Sequence, residues 1–173
     1  MIKRTILMVF LLITSTAAGE AAEENQSLCS PDEVIVFSCV CSNKVLSLCA
    51  TNNITANTGR LTYRYGIPVK TLELVYPAKP LEPAKAFYAY FDSWAKGSVS
   101  EISFKRGQYT YTVYSRTAAF EIGTAKRENG AGVEIHRKEA LVQDIWCKDS
   151  TIQDNIWRVL RNIGLPGLAE MER

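Results

Sequence analysis

The side chains with the widest range of chemistry are five cysteines, Cys29, Cys39, Cys41, Cys49 and Cys147. Thiols can form disulfides, ligate a metal or carry out redox exchange. Cys39 and Cys41 are separated by one residue rather than the two of a Cys-x-x-Cys redox motif, and no second cluster completes a zinc site. The spacing therefore favours structural disulfides, with no metal and no cofactor expected.

An odd number of cysteines leaves one thiol over. Cys41 is the candidate for the unpaired thiol, because it falls at the tip of a predicted hairpin. Cys29, Cys39, Cys49 and Cys147 are the disulfide candidates, and four cysteines allow three pairings, among which the sequence does not choose. A pairing that ties Cys147 back to the N-terminal hairpin closes a loop of about 100 residues. The chain-entropy model assigns such a loop about 4–5 kcal/mol.

Hydrolytic chemistry has little support in the sequence. His136 is the single histidine, and strand alternation places it among charged, solvated residues. A Gly-x-Ser-x-Gly elbow, a Walker loop, a His-Glu-x-x-His motif and a Gly-x-Gly-x-x-Gly loop are all missing. We expect no catalytic residues and no enzyme activity. Carboxylate pairs of the glycosidase type meet in space rather than in sequence, so a small secreted hydrolase is the alternative. The acids that could form one stand singly on predicted strands: Glu73, Asp92, Glu101, Glu121 and Glu134.

Binding chemistry is better represented. All eight tyrosines fall in or beside predicted strands, and tyrosine is enriched at protein interfaces. The clearest predicted hairpin has the basic turn Lys-Arg-Gly-Gln at 105–108, followed by Tyr109. We predict a binding site that comprises Lys105, Arg106, Tyr109 and Tyr111. The alternatives are that the tyrosines fill a small β core and that the turn is simply solvated.

The first residues indicate export. A short basic start, an apolar run at 5–13 and small residues at 14–19 are typical of a signal peptide, which we place at residues 1–20. The apolar run is too short to span a membrane, so no stable membrane insertion is expected after cleavage. Removal of residues 1–19 takes away two of the 20 basic residues and none of the 18 acidic ones, which leaves a net charge near zero. No general attraction to nucleic acid follows, and we expect a periplasmic or secreted protein.

The rest of the chain is predicted to form one domain preceded by a short lead. Residues 21–33 are predicted to be a flexible lead, and residues 34–173 a single β-rich domain. Strand-like runs recur every 8–12 residues and include an alternating run at 61–65, a hairpin over 102–114 and shorter candidates at 118–122 and 133–136. This spacing predicts an antiparallel β-sandwich or a partly closed barrel. A C-terminal helix is predicted over 151–163, with Ser150 and Gln153 as a capping box and Gly164 at its end.

Several stretches together resemble a family of small exported proteobacterial proteins without an assigned function. They are Val-Ile-Val-Phe-Ser-Cys at 34–39, Val-Leu-Ser-Leu-Cys-Ala at 45–50, Leu-Thr-Tyr-Arg-Tyr-Gly at 61–66, Gly-Gln-Tyr at 107–109 and Val-Tyr-Ser at 113–115. The resemblance spans residues 29–148, and Cys41 is an addition to its pattern. The layout is also similar to that of periplasmic lysozyme inhibitors, which are small, disulfide-tied β-barrels that insert a loop into an enzyme cleft. Of the inhibitor motif only Trp-Ala-Lys-Gly at 94–97 has a counterpart here, so no inhibitory residues carry over.

These features define one expected function and two alternatives. The expected function is an exported periplasmic protein that inhibits or neutralises a cell-wall-degrading enzyme, as a lysozyme inhibitor or an immunity protein does. Its partner is then a protein such as a lysozyme or a peptidoglycan amidase. The alternatives are the small hydrolase and a structural or assembly component of the cell envelope.

Overall fold

Two antiparallel sheets of five strands each pack face to face in a computed structural model of the protein. The structure describes residues 26–68, 70, 72–118 and 129–171. The predicted β-sandwich is confirmed, and the sheets do not close into a barrel. The predicted signal peptide lies outside the described residues.

The first sheet is built from the N-terminal part of the chain and one short C-terminal strand. Its strand order is β10-β1-β2-β3-β4. The bounds are β1 Glu33–Cys41, β2 Lys44–Thr51, β3 Leu61–Gly66, β4 Leu72–Tyr76 and β10 Gln153–Asp154.

The second sheet is a continuous meander in which each strand pairs with the next. Its strand order is β5-β6-β7-β8-β9. The bounds are β5 Tyr88–Trp94, β6 Gly97–Arg106, β7 Tyr109–Ala118, β8 Gly130–Arg137 and β9 Ala140–Trp146. The sequence prediction missed β9, and its candidate strand at 118–122 lies, except for Ala118, outside the described residues.

Stacked aromatic rings join the two sheets in the core. Phe104 of β6 lies 4.2 Å from Tyr76 and 4.9 Å from Tyr111, measured between ring centroids, and both pairs are nearly parallel. Tyr63 and Phe87 pack against the same ring at 5.0 and 5.7 Å. Several tyrosines therefore pack in the core, which agrees with the alternative interpretation that the tyrosines fill a small β core.

Strands β1 and β2 are buried on both faces, because residues 26–30 lie across their outer side. Ser38 and Ser47 are fully buried there, and their hydroxyls bond to each other at 2.8 Å. The backbone N–H of Leu28 donates to the Ser47 hydroxyl, and Cys29 is bonded to Cys49. The predicted flexible lead is therefore held against the sheet from residue 26 onwards, where these contacts and the disulfide fix it.

The C-terminal helix begins later than the capping-box pattern predicts. Residues Asp149–Thr151 form a 3₁₀ turn, Gln153–Asp154 pair with β1 as β10, and helix α2 spans Ile156–Ile163. The free edge of β1 needs hydrogen-bond partners, and this requirement outweighs the local preference for a helix. The end of the helix agrees with the prediction, since Gly164 adopts a left-handed conformation with φ 70°. Two short helices complete the described fold, α1 Pro83–Ala86 and α3 Leu168–Met171.

Candidate functional site: a basic end formed by two hairpin tips

Two neighbouring hairpins of the second sheet end side by side. The β6–β7 turn is Gly107-Gln108, and Gly107 has φ +61°, a conformation that suits glycine. The β8–β9 turn is Lys138-Glu139, in which Lys138 also adopts a positive φ of 55°. The β7–β8 ladder pairs Tyr109 with Arg137, so the two turns project from the same end of the sheet.

This end carries a concentration of positive charge, and we call residues 105–109 and 137–142 the basic end. Four exposed cations stand on its two hairpins, Lys105, Arg106, Arg137 and Lys138, against one exposed acid, Glu139. Arg137 donates from Nε and Nη2 to the Gln108 side-chain oxygen, at 3.2 and 2.9 Å. That contact cross-links the two tips and orients one guanidinium group before any partner arrives.

Apolar surface adjoins the cations. Leu141 and Val142 of β9 are 55% and 57% exposed, and Tyr109 is 38% exposed. Arginine and tyrosine beside exposed aliphatic side chains have the composition of an interface centre. Exposed apolar side chains therefore stand on the same hairpin as Arg137.

The four predicted binding residues fall in three environments. Arg106 and Tyr109 pair directly across β6 and β7 and lie at the basic end. Lys105 points to the opposite face, where its ammonium group donates to the backbone carbonyl of Met171. Tyr111 is half-buried, with its ring stacked on Phe104, so it supports the hairpin from within the core.

Sequence reasoning missed half of this site. Arg137, Lys138, Leu141 and Val142 were not predicted, because β9 was not recognised and Lys138-Glu139 was therefore not identified as a turn. The signal was present: alternating residues precede this polar pair, and a second apolar run, Ala140-Leu141-Val142, follows it. A paired β8–β9 hairpin would have placed both tips together.

A second charged cluster occupies the outer face of the same sheet. Arg116 donates to Glu134 at 2.6 Å and to Glu101 at 2.9 Å. Its guanidinium group lies 4.2 Å from the centroid of the Tyr114 ring, and the Tyr114 hydroxyl donates to Asp144 at 3.0 Å. Two of the acids that stand singly in the sequence thus meet here on one cation.

The charges of this cluster are only partly balanced. Burial alone would lower the pKa of Arg116, but its bonds to Glu134 and Glu101 outweigh burial and raise it, so the guanidinium stays charged. Burial raises the pKa of the Asp144 carboxyl; the Tyr114 hydrogen bond offsets part of that rise, and Glu134 adds to it.

The other acids that the sequence offered for a carboxylate pair do not join this cluster. Glu73 pairs with Lys44, Asp92 is exposed, and Glu121 lies outside the described residues.

The cysteines are paired as Cys29–Cys49 and Cys39–Cys147, which selects one of the three open pairings. Cys41 is the free cysteine, as predicted, and it is buried rather than exposed at the hairpin tip. Burial raises the pKa of its thiol to about 11.

Two sets of side chains bring three potential metal-ligand atoms within 4.8 Å of one another. They are Cys39 with Cys41 and Cys147, and Cys29 with Glu33 and Cys49. Each contains a disulfide, whose sulfurs are not available as thiolate ligands.

A groove of about 190 Å³ lies beside β5 and is lined by Ala89, Phe91, Trp157, Leu160 and Arg161. Within the described ranges, none of the helices has the length and apolar character needed to cross a membrane.

Protein-family models, curated proteins and solved structures were each compared with this chain, and none of them matches it.

Proposed function

We propose that this protein is an exported binding protein that inhibits a cell-wall-degrading enzyme. The observation that carries the proposal is the basic end, where Arg106 and Arg137 flank Tyr109 in the strand register and the exposed Lys138 follows Arg137 in the β8–β9 turn. The expected partner is a lysozyme or a peptidoglycan amidase in the periplasm or outside the cell.

Enzymes that cleave glycosidic bonds in the cell wall provide a matching surface. Their clefts carry a pair of carboxylates that flank the scissile bond. A guanidinium group can bond both oxygens of a carboxylate at once, which makes arginine well suited to such a cleft. Arg106 and Arg137 occupy opposite sides of Tyr109, next to two exposed turns.

The rigidity of the support also favours inhibition. The tips extend from two strand ladders, and the Arg137–Gln108 contact holds them together. A preorganised loop loses little conformational entropy when it enters a cleft.

The decisive experiment is direct binding with a panel of enzymes. Mature, oxidised protein is titrated calorimetrically against several lysozymes and peptidoglycan amidases, and wall digestion is followed in parallel. We expect a one-to-one complex that blocks digestion at micromolar concentration. An intact fold without a complex for any enzyme of the panel contradicts the proposal, and self-association in the same samples would favour the envelope component instead.

A second candidate function, a carboxylate-dependent hydrolase, is favoured by one observation. Asp144 lies opposite Glu134 in the β8–β9 ladder, and burial raises the pKa of the Asp144 carboxyl, as suits a general acid. The same samples are assayed for hydrolysis of peptidoglycan without any added enzyme. Activity that Asp144→Asn abolishes, with the basic end unchanged, would select this candidate over the inhibitor.

A further inference from the structure

Three sulfur atoms meet in the core at the edge of the first sheet. The Sγ atoms of Cys41 and Cys39 lie 3.5 Å apart, and all three sulfurs of Cys39, Cys41 and Cys147 lie within 4.8 Å of one another. All three residues are at least 96% buried. The free thiol is therefore in van der Waals contact with a disulfide.

The backbone explains this placement. Cys39 and Cys41 are two residues apart on β1, so their side chains point to the same face. Val40, which lies between them, accepts a hydrogen bond from Lys148 N–H at 2.8 Å and donates one to Thr151 Oγ1 at 2.9 Å. These two bonds fix the segment that follows Cys147 against Val40. Cys147 therefore lies beside both Cys39 and Cys41, the two neighbours of Val40 on β1.

We propose that Cys41 is a second disulfide partner of Cys147, and that the protein interconverts between a Cys39–Cys147 and a Cys41–Cys147 form. In the exchange Cys41 loses its proton, and its thiolate attacks Sγ of Cys147. The bond between Cys147 and Cys39 breaks, and the Cys39 thiolate takes up a proton. One disulfide and one thiol are present before and after, so the step needs no external oxidant or reductant.

The surroundings make this an internal reaction. Burial of the three sulfurs excludes thiol reagents from the solvent, while Cys41 Sγ lies within 4.8 Å of Cys147 Sγ, the atom that it attacks. The hydroxyls of Tyr63 and Tyr65 interact electrostatically with Cys41, and burial raises their pKa values, so they carry no charge at neutral pH. Since burial also keeps the Cys41 thiol protonated, the exchange is slow at neutral pH and accelerates as the pH rises.

The test is the Cys39→Ser variant, oxidised under the conditions used for the natural chain. We expect it to contain no free thiol and to yield a Cys41–Cys147 peptide on mass spectrometry, because Cys41 replaces the missing partner. The control is Cys49→Ser, which removes the partner of Cys29, a cysteine that has no third sulfur beside it among the described residues. That control should show two free thiols, at Cys29 and Cys41. Two free thiols in folded Cys39→Ser would overturn the proposal.

A measurement on the natural chain covers the case in which Cys39→Ser does not fold. The protein is held at pH 7 or pH 9, quenched in acid, and unfolded with an alkylating reagent that marks its free thiol. We expect label on both Cys41 and Cys39, with the mixture reached faster at pH 9. Label on Cys41 alone at both pH values, however long the incubation, overturns the proposal.

Discussion

Tyr109 lies directly opposite Arg137 in the β7–β8 ladder, and Arg106 faces Tyr109 from the other side. The three side chains form a row across three strands, with a tyrosine ring between two guanidinium groups. Cross-strand partners project from the same face, so a single flat surface can contact all three. This row is the part of the basic end that we expect to dominate partner binding.

Replacing either arginine of the row should weaken the complex with an acidic enzyme. We expect Arg106→Ala and Arg137→Ala each to raise Kd by about 10- to 100-fold, which corresponds to about 1.4–2.7 kcal/mol, because each removes a charge from the contact centre. Both variants should also reduce the dependence of the association rate on salt. Binding is measured by surface plasmon resonance at two ionic strengths.

The matched control for these variants is Lys79→Ala. Lys79 is an exposed cation in the loop after β4, so its removal changes the net charge equally without touching the basic end. If Lys79→Ala weakens the complex as much as the two arginine variants do, net charge rather than the row governs binding.

The Cys39–Cys147 disulfide should dominate thermodynamic stability. It joins residues 108 positions apart, and the chain-entropy model assigns a loop of this size about 4–5 kcal/mol. Cys147→Ser removes the cross-link for both β1 cysteines, so we expect a loss of about that size in urea unfolding. A loss below about 1 kcal/mol would show that β10 and the core hold the C-terminal segment without it.

Phe104 is expected to be the most sensitive core position. Its ring is fully buried between Tyr76 and Tyr111, which belong to different sheets. Phe104→Ala leaves a cavity at the junction of the sheets and should cost about 3–5 kcal/mol in chemical denaturation. Phe104→Leu, which fills most of the space, should recover more than half of that loss.

Glu33 should make stability sensitive to acid. Burial alone would raise the pKa of its carboxyl, but hydrogen bonds from Arg64 and from the Ser30 N–H, together with the charge of Arg64, hold the pKa below its usual value. A carboxyl with a lowered pKa in the folded state stabilises the fold above its unfolded pKa, and the contribution is lost as the pH falls through the folded one. We expect Glu33→Gln to cost about 1–3 kcal/mol at pH 7 and little near pH 2. An equal loss at both pH values, measured by thermal unfolding, contradicts the assignment.

Gly132 is needed for close approach between strands. A Cβ at this position would lie 2.3 Å from the Ile145 carbonyl oxygen and 3.0 Å from the Tyr114 hydroxyl. Gly132→Ala should therefore push β9 away or displace Tyr114, at a cost of about 1–3 kcal/mol. Gly167→Ala is the control, because a Cβ there meets no atom within 4 Å. Equal thermal stability of the two variants would show that the sheet relaxes freely around Gly132.

The sequence was most informative where local pattern and burial agree. Alternation in Leu-Thr-Tyr-Arg-Tyr and in the 102–114 hairpin predicted β3, β6 and β7, since one face of each strand enters the core. The odd cysteine was also identified correctly as Cys41. The disulfide pairing was not predictable, because it depends on how the C-terminal segment docks against β1.

The prediction failed where tertiary contacts override local preference. The 150–155 segment has a capping-box pattern, yet it satisfies the free edge of β1 instead of starting a helix. Half of the basic end was missed for a related reason: Arg137 and Lys138 become neighbours of Arg106 only through the β7–β8 ladder. The residue types alone indicate a binding hairpin, but the strand pairing is needed to show that Arg106, Arg137 and Lys138 lie close together.

The order in which the strands are connected has a consequence for assembly of the fold. Within each sheet, β1 to β4 and β5 to β9 pair with their immediate neighbours along the chain. The β1–β10 pairing instead joins positions more than 110 residues apart, as Phe37 and Asp154 do. Contacts between distant residues form slowly, because the entropy of closing the loop opposes them. We therefore expect the meander that carries the basic end to form early, and the C-terminal strand to dock last and bring Cys147 to its partners.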